Sequence, residues 1–319
     1  MTRVAVTGAG GFVGRSVCRV LRAEGHEVIA VVRREASAPV GTSVAEVPGL
    51  DATALRAAFA SCDAVVHLAA RVHVMRETAA DPLAEFRRVN VDGSAAAYRA
   101  ACAAGVRRFV FLSSVKVHGE GRATPYSESD PPAPVDPYGV SKLEAERLLA
   151  SAREAGGTTD LVVLRPPLVY GPGVGGNFRR LVRLAELAQR LPLPLGGLDN
   201  RRSMVAVSNL ADAIRFVIES SAAGGRTLLV SDGEDLSTSD LLDRLARALG
   251  GRARLLPCPT GVLRALAVLT GQRAVVDRLL GTLTVDSSAL RTGLGWVPPH
   301  SVDATLAEVG RWWVEGRAA

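Results

Sequence analysis

Three residues between positions 114 and 142 have side chains that can transfer a proton or hydrogen-bond a reacting oxygen. The segment "YGVSK" places Tyr138 and Lys142 four residues apart, which brings both side chains to one face of a helix. A free tyrosine has a pKa of about 10 and is a poor base at neutral pH, but a nearby ammonium favours its phenolate. Ser114 ends an apolar run upstream, where its hydroxyl can hydrogen-bond a reacting oxygen. The set predicts general acid–base catalysis.

Each of these signals also has a simpler interpretation. A YxxxK pair occurs often by chance on protein surfaces, so the spacing alone does not establish a site. The neighbouring Ser113 is expected to cap the backbone, which leaves Ser114 as the catalytic candidate. The catalytic interpretation therefore depends on the elements that position these residues.

A glycine-rich turn near the N-terminus predicts a dinucleotide site. The segment "TGAGGFVG" (7–14) has the spacing GxxGxxG between an apolar run and a helical pattern. Such a turn brings pyrophosphate close to the amide groups at a helix N-terminus. The predicted cofactor contacts in this turn are Gly8, Gly11, Phe12, Val13 and Gly14.

Further cofactor contacts are expected at the end of the third predicted strand. Leu68, Ala69 and Ala70 end the run "AVVHLAA" (64–70) and are predicted on the adenosine side of the crevice, because ligands bind at the carboxyl ends of parallel strands. His67 is expected to be a packed strand residue.

The segment "VIAVVRRE" (28–35) bears on the choice of cofactor. An acidic residue about 20 positions after the glycines holds the ribose 2′-hydroxyl in NAD-binding units of this type. Arg33 and Arg34 occupy that region here, and either can reach a 2′-phosphate. The two arginines favour NADP as the cofactor. The alternative is NAD held by backbone groups, with both arginines solvated, and it stays open because Glu35 directly follows Arg34.

The alternation of strands and helices predicts an α/β fold with a Rossmann-type, doubly wound parallel sheet. The predicted strands are 3–8, 28–32, 64–70, 108–114, 161–166 and 227–232, and the predicted helices are 83–104, 138–154, 178–190, 209–220, 237–249, 260–270 and 302–315. Residues 1–172 are expected to form the NAD(P)-binding domain with the catalytic residues. Residues 173–319 are expected to form mainly a smaller substrate-binding lobe that returns to the main sheet. The polar, proline-rich loop 119–137 is expected to be functional.

Composition excludes several classes of protein. The net charge of +6 comes from arginines scattered along helices, which indicates a solvated surface and an anionic ligand rather than nucleic acid. The four cysteines are far apart and predict buried free thiols in a reducing compartment. With no signal peptide or membrane-length apolar run, a cytoplasmic protein is expected. No metal site is predicted.

In this order, GxxGxxG, two serines at a strand end and YxxxK resemble the extended short-chain dehydrogenase/reductase family. The similarity extends over nearly the whole chain and is closest to the nucleotide-sugar (NAD-dependent epimerase/dehydratase) branch, especially UDP-sugar 4-epimerases. The segments that carry it include "VNVDGS" (89–94), "FVFLSSVKVHG" (109–119), "DPYGVSKLEAE" (136–146) and "LRPPLVYGPG" (164–173). The resemblance implies that Ser114 and Tyr138 act on the substrate oxygen and that Lys142 holds the nicotinamide ribose. It also implies that the cofactor-site residues include Asn90, Tyr138, Lys142 and Pro166, with Asn90 supporting the active-site helix.

The resemblance also implies candidate substrate contacts. Asn177, in "GNFRRLVRLA" (176–185), matches an asparagine that contacts the diphosphate, and Arg202, in "NRRSMVAVSNLADAI" (200–214), matches a phosphate-binding arginine. Arg278 is a further phosphate candidate, although its segment does not clearly match the family's late arginine. Because the sequence departs from the family's motifs at several positions, the identity of the sugar is not predicted.

Two of these departures follow the catalytic serine. Lys116 replaces a small residue and His118 replaces a tyrosine. If the segment is extended, Ser114, Lys116 and His118 share one face. Lys116 is then expected to contact a substrate hydroxyl or phosphate, with a solvated lysine as the alternative.

Two reactions fit the same residues. One is epimerisation at C4 of a UDP-hexose or UDP-N-acetylhexosamine through a 4-keto intermediate, with hydride transferred to and from NAD(P). The other is NADPH-dependent reduction of a UDP-4-keto-(6-deoxy)sugar. A non-catalytic NAD(P)-sensing protein is disfavoured because the tyrosine is kept.

A homodimer is expected from the resemblance, through helices 83–104 and 138–154. The small residues of "GSAAAYRAACAAG" (93–105) permit close packing of one subunit against another. They permit packing within the subunit equally well.

Overall fold

The computed structural model describes residues 1–72, 81–269, 271 and 273–318. The strands are β1 (Arg3–Thr7), β2 (Glu27–Val32), β3 (Ser43–Glu46), β4 (Ala64–His67), β5 (Arg108–Leu112), β6 (Asp160–Arg165), β7 (Leu168–Tyr170), β8 (Leu193–Gly196), β9 (Met204–Ala206), β10 (Thr227–Leu229) and β11 (Leu255–Pro257). The α-helices are α1 (Phe12–Ala23), α2 (Ala52–Ala58), α3 (Pro82–Arg87), α4 (Gly93–Ala103), α5 (Pro137–Glu154), α6 (Gly176–Arg190), α7 (Val207–Glu219), α8 (Thr238–Ala248), α9 (Thr260–Leu269), α10 (Arg273–Leu280), α11 (Ser288–Arg291) and α12 (Val302–Ala318).

The main sheet has seven strands in the order β10-β6-β5-β4-β1-β2-β3, and every neighbouring pair is parallel. The chain builds outward from β1 in one direction through β2 and β3, then returns to the other side of β1 with β4, β5 and β6. This reversal leaves a crevice at the carboxyl ends of β1 and β4, where α/β sheets bind ligands. The predicted doubly wound parallel sheet is confirmed.

Helices cover both faces of the sheet, which explains why its inner strands read as continuous apolar runs. Val4, Ala5 and Val6 of β1 are all fully buried. Helices α1 and α7 pack on one face, and α2, α4 and α5 pack on the other.

The alanines of α4 belong to this second layer. Ala97, Ala100 and Ala101 are buried in the core of the subunit. The small residues of this helix therefore pack within the subunit, which is one of the two arrangements the sequence left open.

Residues beyond β6 build a further core and also return to the main sheet. Two small parallel sheets, β7-β9 and β8-β11, lie beside a cluster formed from α6, α8 and α12. The strand β10 comes from this half of the chain but pairs with β6. Among the described residues, no helix has both the length and the apolar character needed to cross a membrane.

Two details differ from the sequence-based expectations. The predicted helix 83–104 is two helices, α3 and α4, joined by a π-helical turn, Arg88–Asp92. The four cysteines are free, but only Cys18 and Cys62 are buried, because the other two lie on partly exposed helix and loop positions.

Candidate active site

The glycine turn is shaped by close backbone packing at the end of β1. Gly8 has φ of +69°, and a Cβ there would lie 2.9 Å from the amide nitrogen of Ala69. A Cβ at Gly14 would lie 2.3 Å from the carbonyl oxygen of Gly8. These contacts leave no room for side chains, so the turn opens the N-terminus of α1 to a ligand. Phe12 and Val13 begin that helix.

Residues after β4 form the opposite wall of the crevice. The amide groups of Leu68 and Ala69 donate to the hydroxyl of Thr7 at 3.2 and 3.3 Å. Leu68, Ala69 and Ala70 are half-buried. The predicted adenosine-side segment therefore lies directly against the glycine turn.

His67 is held in one neutral tautomer by a chain of hydrogen bonds. Ser94 donates to the carbonyl oxygen of Asn90 at 2.6 Å, so Nε2 of His67 is the donor in its 3.1 Å bond with Ser94. Nδ1 then accepts from Thr7 at 2.9 Å. Burial lowers the pKa of His67 to about 3, and the charge of Lys142 adds to this effect. His67 is a packed strand residue, as the sequence indicates.

Arg33 and Arg34 follow β2 at the same edge of the sheet. Both side chains are exposed, and neither forms a hydrogen bond or ion pair with the described part of the chain. The short 3₁₀ turn that follows packs on the glycine loop, since a Cβ at Gly10 would lie 2.5 Å from the carbonyl oxygen of Ser37. The two arginines are thus available to a ligand in the crevice.

Ser114 and Tyr138 meet across two elements. Ser114 follows β5 and lies beside Tyr138 near the N-terminus of α5, close enough for its hydroxyl to lower the pKa of the tyrosine. The same hydroxyl accepts from the amide of Lys116 at 3.2 Å, so it is Ser114 that caps the next turn. The expected capping role of Ser113 is wrong: its hydroxyl is buried and has no hydrogen-bond partner among the described residues.

Lys142 is a buried cation one helical turn after Tyr138. Its Nζ lies 4.1 Å from the centroid of the Phe111 ring, and no described residue accepts a hydrogen bond from it. Burial lowers the pKa of Lys142 to about 7, opposed by the carboxylate of Glu146.

Burial acts on the tyrosine in the opposite sense. It raises the pKa of Tyr138 to about 12, while the Ser114 hydroxyl lowers this pKa and the charge of Asp136 raises it. The expectation that Lys142 lowers the pKa of Tyr138 is therefore not met by the protein's own residues, because desolvation disfavours the charged form of each group.

Asn90 joins three segments around the site. Its amide nitrogen donates to the carbonyl oxygen of Arg71 at 3.0 Å and to Ser141 of α5 at 2.9 Å. Its oxygen accepts from the amide of Arg71 at 2.8 Å. The π-helical turn directs this fully buried side chain between the loop after β4 and α5. Asn90 thus connects α5, through Ser141, to the loop after β4.

The segment after Ser114 is not extended. Residues Val115–Val117 form a 3₁₀ turn, so Lys116 and His118 do not share a face with Ser114 as expected. His118 turns inward and accepts from Arg165 at 2.9 Å, and Arg165 also pairs with Glu146. Pro166, next to Arg165, is buried, and its carbonyl oxygen accepts from the amide of Val115 at 2.9 Å.

Lys116 turns toward acidic residues. Its ammonium pairs with Glu120 at 2.7 Å and with Asp136. Asp136 caps α5 by accepting from the amide of Gly139 at 2.6 Å. Sequence reasoning missed Asp136, although an aspartate directly before a proline is a recognisable helix-start signal.

Two of the predicted phosphate ligands are neighbours in space. The guanidinium of Arg202 donates to the carbonyl oxygen of Gly281 at 3.1 Å and to that of Arg278. Burial lowers the pKa of Arg202, and the nearby carboxylate of Glu120 partly offsets this. Asn177 is exposed in the first turn of α6.

The long loop 119–137 connects these two regions. Tyr126 donates from its amide to the carbonyl oxygen of Thr284 at 2.9 Å, and its own carbonyl oxygen accepts from the amide of Asp286 at 2.7 Å. Gly121 lies so close to Thr282 that a Cβ there would be 2.0 Å from the Thr282 carbonyl oxygen. The loop is therefore packed between the catalytic residues and the segment after α10.

The residues around the crevice fit a dinucleotide. The side-chain-free turn at Gly8 and Gly14 provides room for pyrophosphate. The hydroxyl of Ser113 is buried without a hydrogen-bond partner among the described residues, and the ammonium of Lys142, a residue only 2% exposed, has no acceptor among them. Such groups are costly unless a ligand satisfies them.

Comparison with known proteins agrees with this arrangement. The sequence model of the NAD dependent epimerase/dehydratase family matches residues 4–230. A UDP-glucose 4-epimerase of Vibrio cholerae is 38% identical, over 94% of this chain and 92% of its own. A 3-diazoavenalumate denitrifying reductase of a Streptomyces species is 33% identical, over 93% of this chain and 96% of its own.

Solved structures give the same result. MoeE5 in complex with UDP-glucuronic acid and NAD superposes with a TM-score of 0.77 at 28% identity, covering 98% of this chain and 99% of that one. The UDP-glucose 4-epimerase of Thermus thermophilus in complex with NAD has a TM-score of 0.76 at 25% identity, covering 98% and 99%. The chain is an extended short-chain dehydrogenase/reductase and belongs to the NAD dependent epimerase/dehydratase family.

Proposed function

We propose that this enzyme is a nucleotide-sugar 4-epimerase acting at C4 of a UDP-hexose or UDP-N-acetylhexosamine. One observation carries the proposal: Ser114 lies beside Tyr138, one helical turn from the buried Lys142, at the carboxyl edge of the sheet beside the glycine turn. The 38% identity to a UDP-glucose 4-epimerase over nearly the whole chain supports the choice of substrate class.

The proposed reaction uses Tyr138 as acid and base in turn. Tyr138 takes the proton of the 4-hydroxyl, and Ser114 holds the same oxygen by a hydrogen bond. Bound NAD(P) supplies the acceptor for the C4 hydride and the source of its return. After the 4-keto sugar presents its other face, Tyr138 gives the proton back to the oxygen. Lys142, without a hydrogen-bond acceptor among the described residues, donates to the cofactor ribose.

The anionic part of the substrate is assigned to the C-terminal half. Arg202 and Arg278, which contact each other, and Asn177 at the start of α6 are proposed to bind the diphosphate. A guanidinium can bind phosphate oxygens in bidentate fashion. We accordingly assign the cofactor to residues 1–172 and the sugar nucleotide mainly to residues 173–319.

Replacing Tyr138 by phenylalanine tests the reaction. Because Tyr138→Phe removes the proton-transfer group and keeps the ring that packs edge-on against Phe86 at 6.2 Å, kcat should fall by at least about 10²-fold while cofactor affinity stays close to wild type. The measurement follows interconversion of UDP-glucose with UDP-galactose, and of the two UDP-N-acetylhexosamines, by NMR. Wild-type-like turnover in the variant would remove Tyr138 from the mechanism.

Reduction of a UDP-4-keto-(6-deoxy)sugar is the second candidate, and Arg33 and Arg34 favour it. Their exposed side chains follow β2, where a guanidinium can bind a 2′-phosphate, and the carboxylate of Glu46, which accepts from the amide of Glu35 at 2.9 Å, lies at the same strand end. Analysis of the nucleotide released on denaturation separates the candidates. Stoichiometric NAD supports the epimerase, whereas protein that oxidises NADPH only in the presence of a 4-keto sugar supports the reductase.

A homodimer and a cytoplasmic location complete the proposal. The outer face of α5 carries Leu148, which is 41% exposed and available for contact with a second subunit. Free cysteines and a nucleotide-sugar substrate are both suited to the cytoplasm.

A further inference from the structure

We propose that Lys116 is a positioning residue for Tyr138 that acts through Asp136, and that it does not bind the substrate. The inference rests on the proposed function, because it takes Tyr138 as the acid–base group. It replaces the expectation, drawn from the sequence, of a substrate contact at Lys116.

Lys116 contacts residues on both sides of Tyr138. Its ammonium pairs with Asp136, two residues before the tyrosine. Its carbonyl oxygen faces Gly139, one residue after the tyrosine, where a Cβ would lie only 2.7 Å from that oxygen. Since Lys116 is also two residues after Ser114, it connects the serine segment to the first turn of α5.

Asp136 is itself fixed to the helix. One carboxylate oxygen accepts from the amide of Gly139 at 2.6 Å, and the other pairs with Lys116. The carboxylate therefore belongs at once to the helix cap and to the ion pair. Movement of the serine segment away from α5 would break both contacts of Lys116.

The ammonium of Lys116 has little capacity left for a sugar. Glu120 is a second carboxylate partner at 2.7 Å, and the side chains of Lys116 and Asp136 are only 30% and 21% exposed. In such a partly buried setting, charges interact more strongly than in bulk water. A substrate hydroxyl could use only the third N–H of the ammonium, whose charge is already balanced by the two carboxylates.

The pair also sets the charge around the tyrosine. The negative charge of Asp136 raises the pKa of Tyr138, and the cation of Lys116 offsets that charge. Ser114, Lys142 and Arg71 over the Phe86 ring also lie near the tyrosine and are not bonded to the pair, whereas Glu120 contacts Lys116. Removing Lys116 leaves Asp136 uncompensated, whereas Asp136→Asn removes the negative charge that raises the pKa of Tyr138.

Four variants test this dependence. They are Lys116→Met, Lys116→Arg, Asp136→Asn and the double variant Lys116→Met/Asp136→Asn. Asparagine remains a good N-cap, so Asp136→Asn removes the charge and keeps the helix start. The measurements are kcat and KM across the pH range.

We expect Lys116→Met to lower kcat roughly tenfold at neutral pH and to move the acid limb of the profile to higher pH, since one pKa unit is a tenfold change. KM should change little. Asp136→Asn should move the limb to lower pH, the double variant should resemble Asp136→Asn, and Lys116→Arg should restore kcat. Arg244→Met, which removes a cation bridging Glu234 and Asp303, is the matched control and should change neither kcat nor the profile.

A different pattern overturns the inference. If Lys116→Met raises KM, leaves the acid limb in place and is not suppressed by Asp136→Asn, then Lys116 contacts the substrate. If the wild-type protein turns over no nucleotide sugar, the proposed function fails separately. NMR titration of ¹³C-labelled tyrosine then decides: the chain has four tyrosines, and Tyr138→Phe assigns the relevant signal. Titration of Tyr138 at lower pH in Asp136→Asn supports the electrostatic link, and an unchanged titration refutes it.

Discussion

Both His67 and Lys142 contact the ring of Phe111, one by stacking at 6.1 Å and the other through its ammonium. Helical periodicity predicts that Tyr138 and Lys142 lie together, since both belong to one helix. It does not predict their pKa values, because Phe111 and His67 come from strands elsewhere in the chain and remove water from the site. The sequence thus identified the reacting groups but not their protonation.

The buried neutral His67 predicts a loss of stability in acid. Its pKa is about 3 in the folded protein against an ordinary 6.5, so the unfolded chain binds the proton more readily between these values. The contribution of His67 to the free energy of unfolding is fully present above about pH 6.5. It is lost as the pH drops toward about 3, by up to about 1.4 kcal/mol per pH unit. Urea unfolding at neutral and acid pH measures this slope.

Replacement of the imidazole isolates its contribution. His67→Gln keeps a donor and an acceptor for Ser94 and Thr7 but cannot be protonated, so its slope between neutral and acid pH should be shallower. His118, with a pKa lowered to about 4 by burial, supplies a remaining slope of the same sign. Equal slopes in the variant and the wild type would contradict the assignment to His67.

At the level of elements, the turns that position the site have causes of two kinds. The glycine turn was predictable, because the GxxGxxG spacing places glycines at the positions where β1 and α1 pack too closely for a side chain. The π-helical turn at Asn90 was not, since the periodicity of residues 83–104 is continuous and the break depends on bonds to Arg71 and Ser141. The 3₁₀ turn after Ser114 was likewise missed, because alternating polar residues also suit an extended strand.

Gly14 provides the test of the first turn. A Cβ there would lie 2.3 Å from the Gly8 carbonyl oxygen and 2.7 Å from the Cα of Ala9, both backbone atoms that cannot yield cheaply. Gly14→Ala should therefore displace the start of α1 and weaken NAD(P) binding at least tenfold, measured by calorimetric titration. Gly49→Ala, at a glycine with open space around it, is the control and should bind normally. Unchanged affinity in Gly14→Ala would separate the turn from the cofactor site.

At the level of the whole molecule, strand and helix alternation was enough to predict the sheet, because each buried strand is an uninterrupted apolar run. The position of loop 119–137 in the fold could not be predicted from the sequence. Its contacts with residues 282–286 join segments more than 150 residues apart, and both segments pack against Leu229 of β10, which returns to the sheet. This joining makes the substrate half of the chain part of the same folded unit as the catalytic half.

The proposed homodimer is a property of the whole chain, and a substitution on the exposed face of α5 tests it. The alanines of α4 are buried within the subunit, so a dimer contact must use the outer surface of these helices, where Leu148 is 41% exposed. Placing a carboxylate in an apolar contact is costly, so Leu148→Glu should convert the proposed dimer to monomer in light scattering after gel filtration. Leu187→Glu, at an equally exposed leucine on α6, should remain dimeric. A monomeric wild type, or a dimer that survives Leu148→Glu, would place assembly elsewhere or rule it out.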